Sequence, residues 1–336
     1  MTAATIAAVT ATTSSGGLAR GAVEARGMTT ATTAYREPTI VDANGMKICY
    51  DAFGDPEATP VVLVMGLAAQ MILWDDEFCR TIASQGFFVV RFDNRDIGRS
   101  IHLDGARVPK VPELMLAGAN RLFQRPIYTL VDMAKDVLGL MDALGLPTAH
   151  VVGVSMGGAI SQVLAIHFRS RLRSITSIMS STGNAKLPRA KPEAVQVLFK
   201  PTPPDRDAYL ARYVETWRVL GGTHFPFDRE RTLAQGAASY ARSINPPGPR
   251  RQLLAIIASG DRTKSLHGVT TKTLVLHGTA DPLVPIEGGR ATAAAIPGAR
   301  LIELEGMGHT MPRELWPQIT AAIVAHARAA EATSST

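Results

Sequence analysis

Cysteine is nearly missing: Cys49 and Cys79 are the only two in 336 residues, and they have no metal-ligand spacing. That excludes a disulfide scaffold and points to reduced, inert thiols in a cytoplasmic protein. Long apolar runs are missing as well. Hydrophobic residues make up 46% of the chain, enough for a sizeable core, yet no run approaches the ~18–20 residues of a membrane span. Neither sign of charge dominates, since 35 basic and 29 acidic residues give a formal net charge of +6. The densest basic spot, Arg169 to Arg173, falls at a predicted helix end, where cations suit the helix dipole. It carries no interleaved aromatics, so the sequence predicts no nucleic-acid partner. No H-E-x-x-H, EF-hand loop or P-loop occurs, and nothing in the pattern calls for a metal or a cofactor.

Residues 1–37 differ from the rest of the chain: they are rich in Ala, Thr, Ser and Gly, with no aromatic before Tyr35 and no basic residue before Arg20. Such a segment buries too little apolar surface to order itself and is expected to be a disordered tail. Threonines interrupt its alanines, which argues against a secretory signal, and Met28 is an alternative start. A short C-terminal tail is expected over 331–336.

From residue 38 onward, strand-like and helix-like stretches alternate. Strands are predicted at Lys47–Phe53, Val61–Met65, Phe87–Phe92, His150–Val154, Ser174–Met179, Thr273–His277 and Arg300–Leu304. Several are continuous Val/Ile/Leu/Phe runs, the mark of strands buried on both faces of a parallel sheet. The clearest helix runs from Thr129 to Leu144, with a capping-box pair at Thr129 and Asp132 and a stop at Gly145-Leu146-Pro147. Repeated βα units imply an α/β fold with a doubly wound, mostly parallel sheet. Residues 183–266 are too many for a simple crossover and contain helical fragments at Asp207–Leu220 and Arg229–Ala241. A structureless loop of that length is improbable inside a domain, so a helical insertion is expected between core segments 38–182 and 267–330. A second, Pro- and Leu-rich insertion spans Ile101 to Arg125.

The most informative stretch is Ala149 to Gly158. A β-branched run stops at Gly153, Ser155 sits between Gly153 and Gly157, and a helix-compatible segment begins at Met156. This is a G-x-S-x-G elbow, in which a strand turns sharply into a helix with the serine hydroxyl at the apex. With 29 glycines in the chain, the pentapeptide alone arises by chance in about one such sequence in ten. The strand before it and the helix after it cut that figure sharply.

A serine hydroxyl needs a base and a group that orients the base. On such a sheet the acid and the histidine follow the serine in chain order, each after a strand. Asp281 lies in a Pro/Gly-bounded turn after Thr273–His277, and His309 lies in Gly306-Met307-Gly308-His309 after the last strand. The rival acid position, after Ser174–Met179, reads Ser180-Ser181-Thr182-Gly183-Asn184 and holds no carboxylate. The other seven histidines sit in helices, at strand ends or in linkers without a glycine-flanked loop. Ser155, Asp281 and His309 are therefore the candidate catalytic residues. An oxyanion would be met by the backbone N–H of Met156 and, from the loop after Val61–Met65, that of Leu67. Gly66 permits the turn there. The expected pocket is apolar, bordered by Gly66, Leu67, Met156 and Leu283.

With the motif at Gly153–Gly157, then Asp281, then His309, the chain resembles the α/β-hydrolase superfamily from about residue 38 to 328. The turn Asp93-Asn94-Arg95-Asp96-Ile97-Gly98-Arg99-Ser100 is similar to the one after that family's fourth strand, although most members have glycine where Asp96 stands. More narrowly, Val64-Met65-Gly66, Gly222-Thr223-His224-Phe225-Pro226-Phe227-Asp228 and the Gly-Met-Gly-His loop resemble the aclacinomycin methylesterase group of bacterial esterases. The resemblance implies an eight-stranded sheet, a cap formed by the long insertion, and hydrolysis of a small-molecule carboxylic ester without a cofactor. The long N-terminal segment departs from that group. A serine at the elbow, where dehalogenases and epoxide hydrolases of this fold have aspartate, sets those activities aside. Cofactor-free perhydrolases or haloperoxidases, C–C bond hydrolases and non-catalytic hydrolase-like receptors are the competing readings.

Overall fold

Val61–Val64, Phe87–Val90 and Val151–Val154 offer no polar face, so each must be covered on both sides. The computed structural model, which describes residues 35–119 and 125–332, buries them in the middle of an eight-stranded sheet. The strands are β1 (Tyr35–Ala43), β2 (Met46–Phe53), β3 (Thr59–Val64), β4 (Phe87–Phe92), β5 (Ala149–Val154), β6 (Leu172–Ile178), β7 (Thr273–Gly278) and β8 (Arg300–Leu304). Their spatial order is β1-β2-β4-β3-β5-β6-β7-β8. β2 is antiparallel to β1 and β4, and every other pairing is parallel.

Five helices belong to the two layers that cover the sheet or to its edge: α1 (Asp76–Ala83), α3 (Leu130–Ala143), α4 (Met156–His167), α10 (Ile286–Ala295) and α11 (Trp316–Ala332). A further helix, α2 (Val111–Ala119), lies in the second insertion and packs through Leu114 and Ala117 on Leu254 of the 183–266 segment. α3 and α4 close one face, with Met133, Val137, Ile160 and Leu164 in its core; α1 and α11 close the other, with Phe78, Ile82, Ile319 and Ile323. The α3 capping box forms as the sequence predicts: Thr129 Oγ1 accepts from Asp132 N–H at 3.3 Å and Asp132 Oδ2 accepts from Thr129 N–H at 2.8 Å. Both cysteines are buried and free, and burial pushes both thiols up. Among the described residues no helix is long and apolar enough to cross a membrane.

Apart from shifts of one or two residues at the ends of predicted strands and helices, two boundaries differ from the sequence expectation. β1 is not among the predicted strands, and it begins at Tyr35, inside the segment expected to be tail. It is an edge strand with no steady alternation of buried and exposed positions, and its register slips between Arg36 and Thr39, around Pro38. Pro38 has no N–H to give the ladder, so the usual strand signal is lost. At the other end α11 runs to Ala332 and takes in Glu331. The rest of the two expected tails, residues 1–34 and 333–336, lies outside the described residues, as do 120–124 of the second insertion.

Between β6 and β7 the chain forms α5 (Pro192–Phe199), α6 (Arg206–Gly221), α7 (Arg229–Arg242), α8 (Gly248–Ser259) and α9 (Thr263–Leu266). Buried polar bonds fasten α7 and α8 to the loops that leave β3 and β4. Arg251 forks onto Asp96 (Nε–Oδ2 2.8 Å, Nη2–Oδ1 2.6 Å), with both side chains almost fully buried. Arg242 pairs with Asp93, and Gln70 Nε2 donates to the carbonyls of Ser239 (2.8 Å) and Ser243 (2.7 Å). Gln252 donates to Arg95 O and accepts from Ala68 N–H, at 2.9 and 3.0 Å. Burial would push the Asp96 carboxyl up, but Arg251, Leu103 N–H and Tyr128 hold it below the usual carboxylate range.

Breaking such a buried pair from one side strands a charge at a cost of about 3–5 kcal/mol. Arg251→Met is therefore expected to lower unfolding stability by about that amount. Adding Asp96→Gly removes the stranded carboxylate and relieves a backbone φ of 69°, so the double variant should be more stable than Arg251→Met alone. Denaturant titration checks both, and a loss below about 1 kcal/mol for Arg251→Met contradicts the clamp.

A pH dependence arises from the buried imidazole of His150 on β5. Its Nδ1 lies 2.8 Å from Ser174 Oγ. Burial, only partly opposed by Glu331, pushes its pKa down to about 4. The folded state therefore binds this proton less readily than the unfolded chain, whose histidine titrates near ~6.5. The stability involved is intact above about pH 6.5 and is lost as pH falls toward about 4. His150→Gln should flatten the fall of melting temperature across that window, and an unchanged slope contradicts the assignment.

Candidate active site

Ser155 occupies the turn between β5 and α4 with φ 53° and ψ −114°, a left-handed conformation that ordinary residues avoid. Close packing leaves the chain no alternative. A Cβ on Gly153 would lie 2.1 Å from Gly157 O, and one on Gly157 would lie 2.1 Å from Val64 O. Only glycine lets α4 start this close to β3 and β5. Ser155 N–H donates to Ile178 O at 2.9 Å and Ser155 O opens the helix by accepting from Ala159 at 3.1 Å.

The structure brings the three candidate residues together. His309 Nε2 lies 3.0 Å from Ser155 Oγ, and His309 Nδ1 lies 2.7 Å from Asp281 Oδ2. A carboxylate only accepts, so Nδ1 carries the ring proton and Nε2 is left to accept from the serine hydroxyl. Asp281, with its side chain wholly buried, is held by its other oxygen, which accepts from Leu283 N–H and Val284 N–H at 2.8 Å each. The His309 loop is fixed from the insertion side. His309 N–H donates to Leu220 O at the end of α6 at 2.7 Å, and a Cβ on Gly308 would lie 2.4 Å from Gly221 O.

Gly66 and Leu67 border the serine: a Cβ on Gly66 would come within 3.3 Å of Ser155 Cβ. Met156 N–H belongs to the first turn of α4, where N–H groups have no intrahelical partner. The Met156 side chain is a correction to the expected pocket. It is 2% exposed, packs in the hydrophobic core with residues of α3 and α4, and is not among the residues that line the cavity. Gly66, Leu67 and Leu283 do line the cavity, which has a volume of about 410 Å³ and also contains Ser155 and His309. Its wall is largely aromatic and aliphatic, with Trp217, Phe225, Phe227 and Trp316 prominent. Arg231 stacks over Trp316 at 4.7 Å and pairs with Asp75 at 2.7 Å, which gives the cavity one polar edge.

Sequence reasoning did not find two supports. His277 is fully buried beneath the Asp281 turn and donates from Nε2 to Val284 O at 2.7 Å; burial pushes its pKa down, so it acts as a neutral prop. Gln252 of α8 holds the loop that carries Leu67. Neither has a local signal, because each acts through a partner distant in sequence or through a backbone carbonyl.

The chain matches the alpha/beta hydrolase fold family over residues 59–312. It is 33% identical over 303 residues to the rhodomycin D methylesterase DauP of Streptomyces sp. (strain C5), covering 83% of this chain and 94% of that protein. The rhodomycin D methylesterase DnrP of Streptomyces peucetius is 32% identical over the same coverage. Among solved structures, the enol-lactonase of Burkholderia xenovorans LB400 superposes with a TM-score of 0.66 at 24% identity, over 86% of this chain and 99% of that one, a likeness of fold. Sheet order, elbow and sequence relationship agree, and the chain belongs to the α/β-hydrolase family.

Proposed function

We propose that this protein is a serine carboxylesterase that cleaves a hydrophobic carboxylic ester through an acyl-enzyme. The observation that carries the reading is the bonded relay from Ser155 Oγ through His309 to Asp281, at 3.0 and 2.7 Å. The likeness to the two rhodomycin D methylesterases supports an ester as the substrate class.

In this reading Ser155 Oγ attacks the ester carbonyl while His309 Nε2 takes its proton. The imidazolium, paired with Asp281, then protonates the departing alcohol. Water, deprotonated by the same nitrogen, releases the acid and restores the serine. Negative charge on the tetrahedral oxygen falls to the N–H groups of Leu67 and Met156. One such donor is typically worth about 2.7–4 kcal/mol of barrier lowering. Gln252, by fixing Ala68, keeps the first of them in place. The 183–266 insertion acts as a cap: α6 supplies both Trp217 on the cavity wall and the carbonyl that anchors the His309 loop.

The test uses p-nitrophenyl esters of graded acyl length. Wild-type protein should turn them over, and Ser155→Ala should lower kcat by roughly 10⁴–10⁶-fold. Turnover that survives Ser155→Ala contradicts the reading. Tight ligand binding without turnover would point instead to a receptor, and peroxide-dependent halogenation in acetate exceeding ester cleavage would point to a perhydrolase.

A further inference from the structure

α6 does not end its lining role at Trp217 and Leu220. Over the two turns that precede Trp217, Tyr209, Arg212, Tyr213 and Thr216 face a second chamber of about 330 Å³. The two chambers share walls, since Leu67, Leu198, Trp217, Leu220 and Leu253 border both. Residue spacing along the helix places Arg212 about 12 Å from Leu220, whose carbonyl anchors His309.

The second chamber is electrostatically one-sided. Its charged lining side chains are Lys200, Arg212 and Arg250, and no carboxylate lines it among the described residues. The first chamber, by contrast, mixes Asp75, Asp228 and Glu314 with Arg231 and Arg313. Arg212 stands out among the inward-facing arginines. Arg91, Arg95, Arg242 and Arg251 each pair with an aspartate. Arg262 is occupied by four neutral acceptors, on Gln162, Ser259, Gly260 and Ser181. Among the described residues Arg212 reaches only the Thr202 hydroxyl, at 3.4 Å, and the Lys200 carbonyl, and its buried Nε has no partner. The Tyr213 hydroxyl next to it is also buried without one. Burial pushes the Arg212 guanidinium down from its ordinary value. Arg212 is half-buried, with its Nε wholly covered; a cation edge so covered and short of acceptors is costly, and a carboxylate supplied from outside offsets that cost.

We propose that the second chamber is an anion subsite in which Arg212 receives a carboxylate at the far end of the substrate's acyl body, while the ester carbonyl sits at Ser155. The inference rests on the esterase reading for the second half of that statement only. A carboxylate that engages the Nε edge of Arg212 makes a two-point contact there, with Lys200 and Arg250 adding positive potential. The selected substrate class is thus a long mono-ester of a dicarboxylic acid, or a rigid ester carrying an acid group at comparable distance.

The experiment compares mono-p-nitrophenyl esters of suberic, sebacic and dodecanedioic acids with p-nitrophenyl octanoate, decanoate and dodecanoate. At the length that spans the two chambers, the acid-tipped ester should be favoured in kcat/KM by about tenfold or more, mainly through KM. Arg212→Met should abolish that preference while leaving the neutral esters within about threefold, and Arg212→Lys should restore part of it. Calorimetric titration of Ser155→Ala protein with sebacate, with and without Arg212→Met, reads the subsite without catalysis. Binding that depends on Arg212 supports the proposal even if no ester is turned over, an outcome that would sink only the esterase reading. Neutral esters preferred at every length, an acid preference that survives Arg212→Met, or no Arg212-dependent sebacate binding overturns the subsite.

Discussion

The backbone of Ser155 is the constraint on which the rest of the site depends. A residue held at φ 53° and ψ −114° stores strain on the order of 1–3 kcal/mol. It persists because the surroundings leave no room for relaxation: Gly153, Gly157 and Val64 meet at distances that admit no side-chain carbon. The strain lifts the hydroxyl out of the sheet and starts α4 directly beneath it. The positions of His309, Asp281 and the Gly66–Leu67 loop have chemical meaning only relative to that fixed oxygen.

Around the serine, short local devices and long-range polar bonds divide the work. Asp281 is oriented by its own turn, through Leu283 and Val284 N–H, and supported from below by His277. His309 and Leu67 sit on loops that could wander, and both are held by the insertion: His309 by the Leu220 carbonyl, and Leu67's neighbour Ala68 by Gln252. The insertion is in turn clamped to the core by Asp96–Arg251, Asp93–Arg242 and Gln70. These groups lie in low-dielectric surroundings, where a partnered charge is rigid and an unpartnered one is expensive. The same rule makes the half-buried Arg212 conspicuous, since it faces a chamber whose charged lining residues are all cations and lacks the acid that most of the buried arginines have.

Much of this was legible in the sequence. The parallel strands announced themselves as apolar runs, α3 by its capping box, and the elbow by glycines whose spacing only a tight strand–helix turn requires. Ser155, Asp281 and His309 could be placed together because chain order on a doubly wound sheet fixes which loops meet above its edge. The edge strand β1 was illegible: Pro38 breaks its register and its burial pattern does not alternate. The inward turn of Met156 was also missed, since the motif specifies its N–H and says nothing of its side chain. Gln252 and the Leu220 carbonyl act through partners that only the folded chain brings near, and His277 acts through a backbone carbonyl, so no local pattern could reveal them. Asp96, conspicuous in sequence for standing where glycine is usual, found its explanation in Arg251, 155 residues away.

The most direct measurement is covalent titration with an organophosphate such as diethyl p-nitrophenyl phosphate, which reacts far faster with a hydroxyl activated in place than with an ordinary one. One equivalent of p-nitrophenolate should be released per chain. Intact mass should rise by a single diethylphosphoryl group, and peptide mapping should locate that group on Ser155. A label on any other residue, or none from a preparation that still hydrolyses esters, would contradict the account.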